Sequence, residues 1–231
     1  MNSYQDKQRE VIDQIEKEVQ ENKLTFSTVA PMANFDNDPR VCLTSVHFPK
    51  EYLLQKICSE IIQPLQKKFS DHYYYSQESL HMTIKNVRVI HDPPNFTGND
   101  VEKTKQVFAS VVPQHSVFHV YFYRLLLFST NLALIGTTDP ELDDLVLDLD
   151  RQLKENGVAD DKIYINKRYF FSNMTLVRFT KQVEESFREE VMKISSQLQF
   201  EPYMVDSVTL VQGNASLHKK KIINTWMLQS I

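Results

Sequence analysis

Four glycines and two cysteines in 231 residues exclude several chemistries at the outset. With so little glycine there is no GxGxxG and no GxxxxGK[ST], so no Gly-rich loop cradles a nucleotide's phosphates. Cys42 and Cys58 are too few for a disulfide framework or a Cys-based zinc site. Long apolar runs are missing too: the longest surrounds Tyr121–Phe128, far short of the ~20 residues needed to span a bilayer. No basic start leads into an apolar core and a small-residue cleavage site, so no signal peptide is expected. Without export, the Asn-x-Ser/Thr triplets at Asn95, Asn173 and Asn214 carry no weight. A cytoplasmic, reducing setting and no membrane contact are the expectations. Positive charge is not in excess either. Lys and Arg number 26 against 30 Asp and Glu, a net charge of −4, so any contact with nucleic acid has to be local. His/Asp clusters at ligand spacing are absent, and His91-Asp92 alone is not a site; neither metal nor cofactor is expected.

What is present is an ordinary globular composition, 42% hydrophobic, 11% aromatic and 24% charged. Val11, Ile12, Ile15 and Val19 form one narrow helical stripe. Residues 1–40 are therefore read as an amphipathic helix and linker, a packing or partner helix without chemistry. From Val41 the signals become regular. Val41–His47 is rich in β-formers and Pro49 ends it. Apolar residues from Leu53 to Phe69 recur at helical spacing, predicting a helix near 50–69. Tyr73–Tyr75 and Leu80–Ile90 read as strands, Asp100–Val112 as a shorter helix, and Ser116–Gly136 as two strands of a meander. Asp139-Pro140-Glu141 signals a helix start, with Asp139 as cap, and Gly157 a stop. Tyr169–Phe179 then reads as a strand, Phe187–Leu198 as a helix, and Met204–Val211 with Ile222–Leu228 as a closing strand pair. Strand, helix, strand with a polar motif, then meander occurs roughly twice, which predicts a duplicated α+β unit rather than an alternating parallel sheet.

The two halves share a motif. Leu80-His81-Met82-Thr83-Ile84-Lys85 and Ser172-Asn173-Met174-Thr175-Leu176-Val177 each set a polar residue two positions before a threonine, with apolar residues between. Strand side chains alternate faces, so in regular strands His81, Thr83 and Lys85 share one face, and Asn173 and Thr175 share another. Arg178 would then point away from Asn173 and Thr175.

These segments resemble the paired His-x-Thr/Ser-hydrophobic motifs of the 2H phosphoesterase superfamily, which includes the 2′-5′ RNA ligase-like proteins and RNA cyclic phosphodiesterases. Glu78–Ile84 resembles the first motif, Met174–Phe179 the tail of the second, Pro140–Gly157 the helix between them and Phe200–Gln212 the closing strand. The resemblance spans about residues 41–231. It implies a single bilobal domain, two pseudo-symmetric lobes of antiparallel sheet with helices outside and a cleft between. It also implies metal-independent attack on cyclic phosphate or 2′-5′ phosphodiester bonds of RNA ends or small nucleotides. His81 would be one acid/base and Thr83 and Thr175 the phosphate clamp, with Asn173, Lys85 and Arg178 as further substrate contacts. Where the second histidine belongs stands Asn173. An amide can hydrogen-bond a phosphate oxygen but has no proton equilibrium near neutral pH.

Three functions follow from that substitution: a divergent cyclic phosphodiesterase with a degenerate second motif, a nucleotide- or phosphate-binding pseudoenzyme, and a scaffold whose N-terminal helix contacts a partner. No replacement histidine is evident. His91, ten residues along the strand from His81, would lie ~33 Å away. His72, His115, His119 and His218 read as surface or capping residues, and Tyr73, Tyr74 and Tyr75 either stack on a base or belong to strand core.

Overall fold

A computed structural model describes residues 3–21, 23, 29–32, 34–164 and 167–230. Its helices are α1 (Ser3–Gln20), α2 (Glu51–Ile57), α3 (Gln63–Lys68), α4 (Gly98–Val111), α5 (Glu141–Glu155) and α6 (Glu185–Gln197). Its strands are β1 (Val41–His47), β2 (Tyr73–Tyr74), β3 (Met82–His91), β4 (Phe118–Leu127), β5 (Asn131–Thr138), β6 (Ser172–Arg178), β7 (Tyr203–Val205), β8 (Ser207–Gly213) and β9 (Lys220–Met227). All the strand pairs are antiparallel, in two sheets ordered β3-β1-β8-β9 and β2-β6-β5-β4-β7. The predicted α+β, two-lobed architecture is what the chain adopts.

Local chemistry accounts for most boundaries. The predicted helix near 50–69 is α2 and α3 joined by a π-turn over Cys58–Ile62. Pro64 follows that turn; it has no N–H for the carbonyl four residues back, and a wider turn relieves the clash of its ring. Thr97 and Asp100 form a reciprocal capping box at the start of α4. Gly157, at φ 75°, ends α5. Val158 N–H bonds to the Leu153 carbonyl and Gly157 N–H to that of Lys154, the pairing a left-handed terminal glycine makes possible. Asp139, in contrast, does not cap α5: the N-cap is Pro140. The Asp139 carboxylate instead accepts hydrogen bonds from His119 N–H and Tyr121 O–H on β4. The predicted closing strand at Met204–Val211 is two strands in different sheets, β7 and β8, with the chain crossing over at Asp206.

Register assigns the faces. In the first sheet Leu43 and Leu210 belong to the main core, while Val46 and Val211 form a small cluster on the other side. In the second, Leu132, Leu134 and Met174 enter the main core, whereas Ala133 and Ile135 face the opposite way. That opposite face carries α1: Ile12 and Ile15, both buried, pack on Leu126, Ala133 and Ile135. The apolar stripe read as a packing or partner surface is thus spent on the protein's own sheet. Fully buried Gln8 pins the helix, its side chain accepting from Thr138 N–H and donating to Thr138 Oγ1 and the Phe170 carbonyl. Among the described residues no helix is long and apolar enough to cross a membrane.

Candidate active site

His81 sits immediately before β3, and Thr83 pairs with Val46 of β1. His81 is partly exposed, with its Nδ1 2.6 Å from the Ser79 carbonyl. A carbonyl only accepts, so Nδ1 carries the proton, and in the neutral ring Nε2 is left as a base. Burial pushes the ring's pKa down to about 4, and the charges of Arg178 and Lys220 act in the same direction, against the Ser79 bond. His81 is therefore neutral at pH 7, the form a proton acceptor requires.

On the other lobe Asn173 pairs with Ile135 and Thr175 with Ala133, so both lie on the face that α1 partly covers. Asn173 is exposed and Thr175 partly so. A register shift follows Thr175: Val177 pairs with Leu132 and Arg178 with Asn131, leaving Leu176 as the extra residue of a bulge. The bulge changes the parity of the strand. Asn131 lies on the same side of β5 as Ala133 and Ile135, so Arg178 joins Asn173 and Thr175 instead of opposing them. Arg178 is 7% exposed; its Nε donates to Tyr75 Oη at 2.9 Å, and its guanidinium lies 5.5 Å over the Phe35 ring. Tyr75 in turn donates to the Ala215 carbonyl, and its ring centre is 6.1 Å from that of His81. Arg178, Tyr75 and His81 thus form one contiguous group drawn from both lobes.

The same device works in reverse on β3. Thr83 pairs with Val46 but Lys85 with Ser45, so Ile84 is the extra residue and Lys85 turns to the face opposite Thr83. There it is 2% exposed, and its ammonium is held by Asp160 and, at 3.0 Å, by Asp150 of α5. The expected sharing of a face by His81, Thr83 and Lys85 therefore does not hold for Lys85, because a regular two-residue alternation was assumed.

Two further cations were not anticipated. Lys220, at the start of β9, donates to the Glu78 and Leu217 carbonyls at 3.0 and 3.1 Å, close enough to His81 to lower its pKa. Lys162 comes from the irregular segment between α5 and β6. Burial, and the charges of Lys85 and Arg178, lower its pKa from the ordinary lysine value, while Asp160 opposes them. Neither residue belongs to a strand motif, and a loop lysine carries no sequence signal of its own.

The other histidines are occupied elsewhere. His47 is buried, with Nδ1 2.9 Å from the Ser207 carbonyl and Nε2 2.9 Å from Tyr203 Oη, where it ties β1 to β7 and β8. His115 meets Asp148, His119 meets Asp139 and His218 lies 3.5 Å from Asp36. His91 is exposed against the Pro93 carbonyl, and His72 is enclosed by Phe179 and Phe187. Tyr73 donates to Asp36 and Tyr74 to the Phe69 carbonyl, while Tyr75 is the member of the triplet that reaches the site. Among the described residues, no three His, Cys, Asp or Glu side chains gather as metal ligands.

No family model matches the chain, and no curated protein does. Solved structures do. LigT of E. coli in its apo form matches with TM-score 0.55 at 14% identity, over 82% of this chain and 98% of that one. LigT complexed with 3′-AMP matches with TM-score 0.53 at 15% identity, over 82% and 98%. TT0787 of Thermus thermophilus matches with TM-score 0.56 at 11% identity, over 83% and 98%. Likeness at such low identity speaks to the fold: the chain has the bilobal fold of LigT and its phosphoesterase neighbours, as the resemblance to the 2H phosphoesterases implied.

Proposed function

We propose that the cleft is the site of a divergent, metal-independent 2H phosphoesterase-like protein of the cytoplasm. It would act on cyclic phosphate or 2′-5′ phosphodiester bonds of RNA ends or small nucleotides. The observation that carries this reading is the group His81, Tyr75 and Arg178: a neutral imidazole beside a buried guanidinium with no carboxylate partner among the described residues. A buried cation without a counter-ion is costly, and an entering phosphate supplies one. In this mechanism His81 Nε2 accepts the proton of an attacking hydroxyl or water, Thr83 and Thr175 donate to non-bridging oxygens, and Arg178 opposes the charge that grows in the transition state. Asn173 can hydrogen-bond the leaving oxygen but cannot protonate it, so that proton has to come from solvent and turnover is slow. The ligand is small or terminal, because α1 occupies the cleft face of β5 beside Asn173. The 3′-AMP bound by LigT is of that size.

Asn173 also favours a second reading, a nucleotide-binding pseudoenzyme, since the other histidines among the described residues are partnered elsewhere. The test is to incubate wild type and His81→Ala with 2′,3′-cyclic nucleotides and short 2′-5′ and 3′-5′ linked oligonucleotides, with chelator present, and to follow products by chromatography. Turnover lost in His81→Ala supports the enzyme. Binding of 3′-AMP without turnover supports the pseudoenzyme, and neither turnover nor binding refutes both.

A further inference from the structure

We infer that Lys220 of β9 is a phosphate-binding residue of the cleft, a cation that meets from the first sheet the same phosphate that Arg178 meets from the second. This inference rests on the phosphate-site reading above and extends it to a residue outside both strand motifs.

Register places the side chain. Leu43 enters the main core, so Cys42, Thr44 and Val46 face the other way along β1, where Val46 joins Val211 and Leu217. Directly paired residues share a side of the sheet. Val46 pairs with Thr83, and Cys42 with Gly213, which in turn pairs with Lys220. No register shift separates those rows on β1 and β8, so Lys220 emerges on the side of Thr83. The hairpin that delivers it, residues 214–219, is tied down. Asn214 and Ser216 donate to the Phe35 carbonyl at 2.9 and 3.3 Å. Gly213 lets the hairpin close, since a Cβ there would stand 2.8 Å from the Lys219 carbonyl oxygen. Leu217 takes φ 53°, which is costly for a residue with a bulky side chain, and that side chain is buried in the Val46–Val211 cluster.

The same hairpin joins the groups of both lobes. Arg178 Nε donates to Tyr75 Oη, and Tyr75 donates to the Ala215 carbonyl at 3.1 Å. Two residues further on, the Leu217 carbonyl accepts from Lys220 Nζ at 3.1 Å, and the Glu78 carbonyl accepts from it at 3.0 Å. The next carbonyl along, that of Ser79, accepts from His81 Nδ1. Arg178, Lys220 and His81 therefore hang on one continuous chain of contacts. An ammonium has three N–H donors. Two of those of Lys220 go to the carbonyls, and its nitrogen lies 5.6 Å over the Phe48 ring. No carboxylate pairs with it among the described residues. A half-buried ammonium thus lacks a counter-ion in a chain whose net charge is −4. A phosphate supplies both things that are missing, an acceptor for the third donor and an opposite charge.

The test titrates the full chain with 3′-AMP and, separately, inorganic phosphate. Lys220→Gln keeps an amide that can donate to both carbonyls but removes the charge. It should weaken binding of both ligands about tenfold or more and flatten the salt dependence, while Lys220→Arg should keep most of the affinity. Lys221→Gln is the control: that side chain is exposed and, as the next residue on β9, points to the other side of the sheet. It should leave both affinities unchanged. Wild-type affinity in Lys220→Gln overturns the inference, because the residue then only ties the hairpin to Glu78. An equal loss in Lys221→Gln also overturns it, because the effect is then one of diffuse surface charge. Should Lys220→Gln fail to fold, wild type is acetylated with and without saturating 3′-AMP and read by mass spectrometry. The ligand should slow modification of Lys220 and not of Lys221, and equal slowing of the two or none at Lys220 overturns the inference. Absence of binding by wild type overturns the phosphate-site reading itself.

Discussion

Asn173→His should restore the missing proton donor and raise cyclic phosphodiesterase turnover. Asn173 is exposed on β6 and no side-chain hydrogen bond ties it to the described residues, so the substitution removes no structural contact. A well-placed general acid contributes ~10²–10⁴ in rate. Only its protonated form acts. An imidazole near pKa ~6.5 is about one quarter protonated at pH 7, and Arg178 on the same face lowers that fraction. The expected gain at pH 7 is therefore at the lower end, about 10²-fold. It should grow as the pH falls towards 6, while at lower pH the turnover of both proteins declines together as His81, with its pKa near 4, becomes protonated. The assay is kcat for 2′,3′-cyclic AMP hydrolysis from pH 5 to 8 for wild type, Asn173→His and the double variant with His81→Ala. A folded Asn173→His with no gain at any of these pH values refutes the reasoning. So does a gain that survives His81→Ala, because the two side chains would not then be working on one bond.

Three other outcomes follow from the same geometry. His81 has a lowered pKa, about 4 against 6.5, so below pH 6.5 the unfolded chain binds the extra proton first; the stability carried by the neutral ring is complete above 6.5 and lost as pH falls towards 4, by about 3 kcal/mol in all. Urea unfolding of wild type and His81→Gln should show that difference in pH slope, and parallel slopes would refute it. Gln8→Ala strips Thr138 N–H and the Phe170 carbonyl of a buried partner and should cost about 2 kcal/mol, read from the denaturation midpoint; a loss below experimental error would mean that α1 is not held by this amide. Arg178→Met should abolish detectable 3′-AMP binding while leaving far-UV dichroism unchanged, and retained affinity would move the phosphate away from Tyr75.

The order of helices and strands was legible because it rests on local chemistry: the stripe in α1, the β-branched residues of β1 and the glycine after α5 each act over a few residues. The site was less legible for a specific reason. Which face a strand residue occupies depends on parity, and parity changes with each bulge. The extra residues Ile84 and Leu176 are ordinary aliphatics in ordinary strand sequence, and neither announces itself. So Lys85, expected on the His81 face, lies on the other, and Arg178, expected off the face, lies on it. Asp139 misled for a related reason: a short carboxylate before Pro140 is a good cap in isolation, but β4 offers it two donors. Lys162 depends on where a loop lands and Lys220 on how the start of β9 packs beside Glu78, both properties of the packed fold.

The two motif strands differ in chemistry while corresponding in backbone. Each strand has a one-residue bulge just after its threonine, yet the first bulge sends a lysine out of the cleft and the second brings an arginine in. On the proposed reading the labour divides: the β3 lobe supplies a neutral base, and the β6 side supplies charge without a base. A cleft kept only as a scaffold would have no use for Arg178, since burying a guanidinium whose one hydrogen-bond partner among the described residues is a hydroxyl costs more than a hydrophobic residue in its place. On the proposed reading, Asn173 in place of a second histidine withholds a proton donor and leaves the electrostatic reason for a phosphate to bind intact. Binding and turnover should therefore separate in this protein, with affinity governed by Arg178 and rate by what stands at position 173.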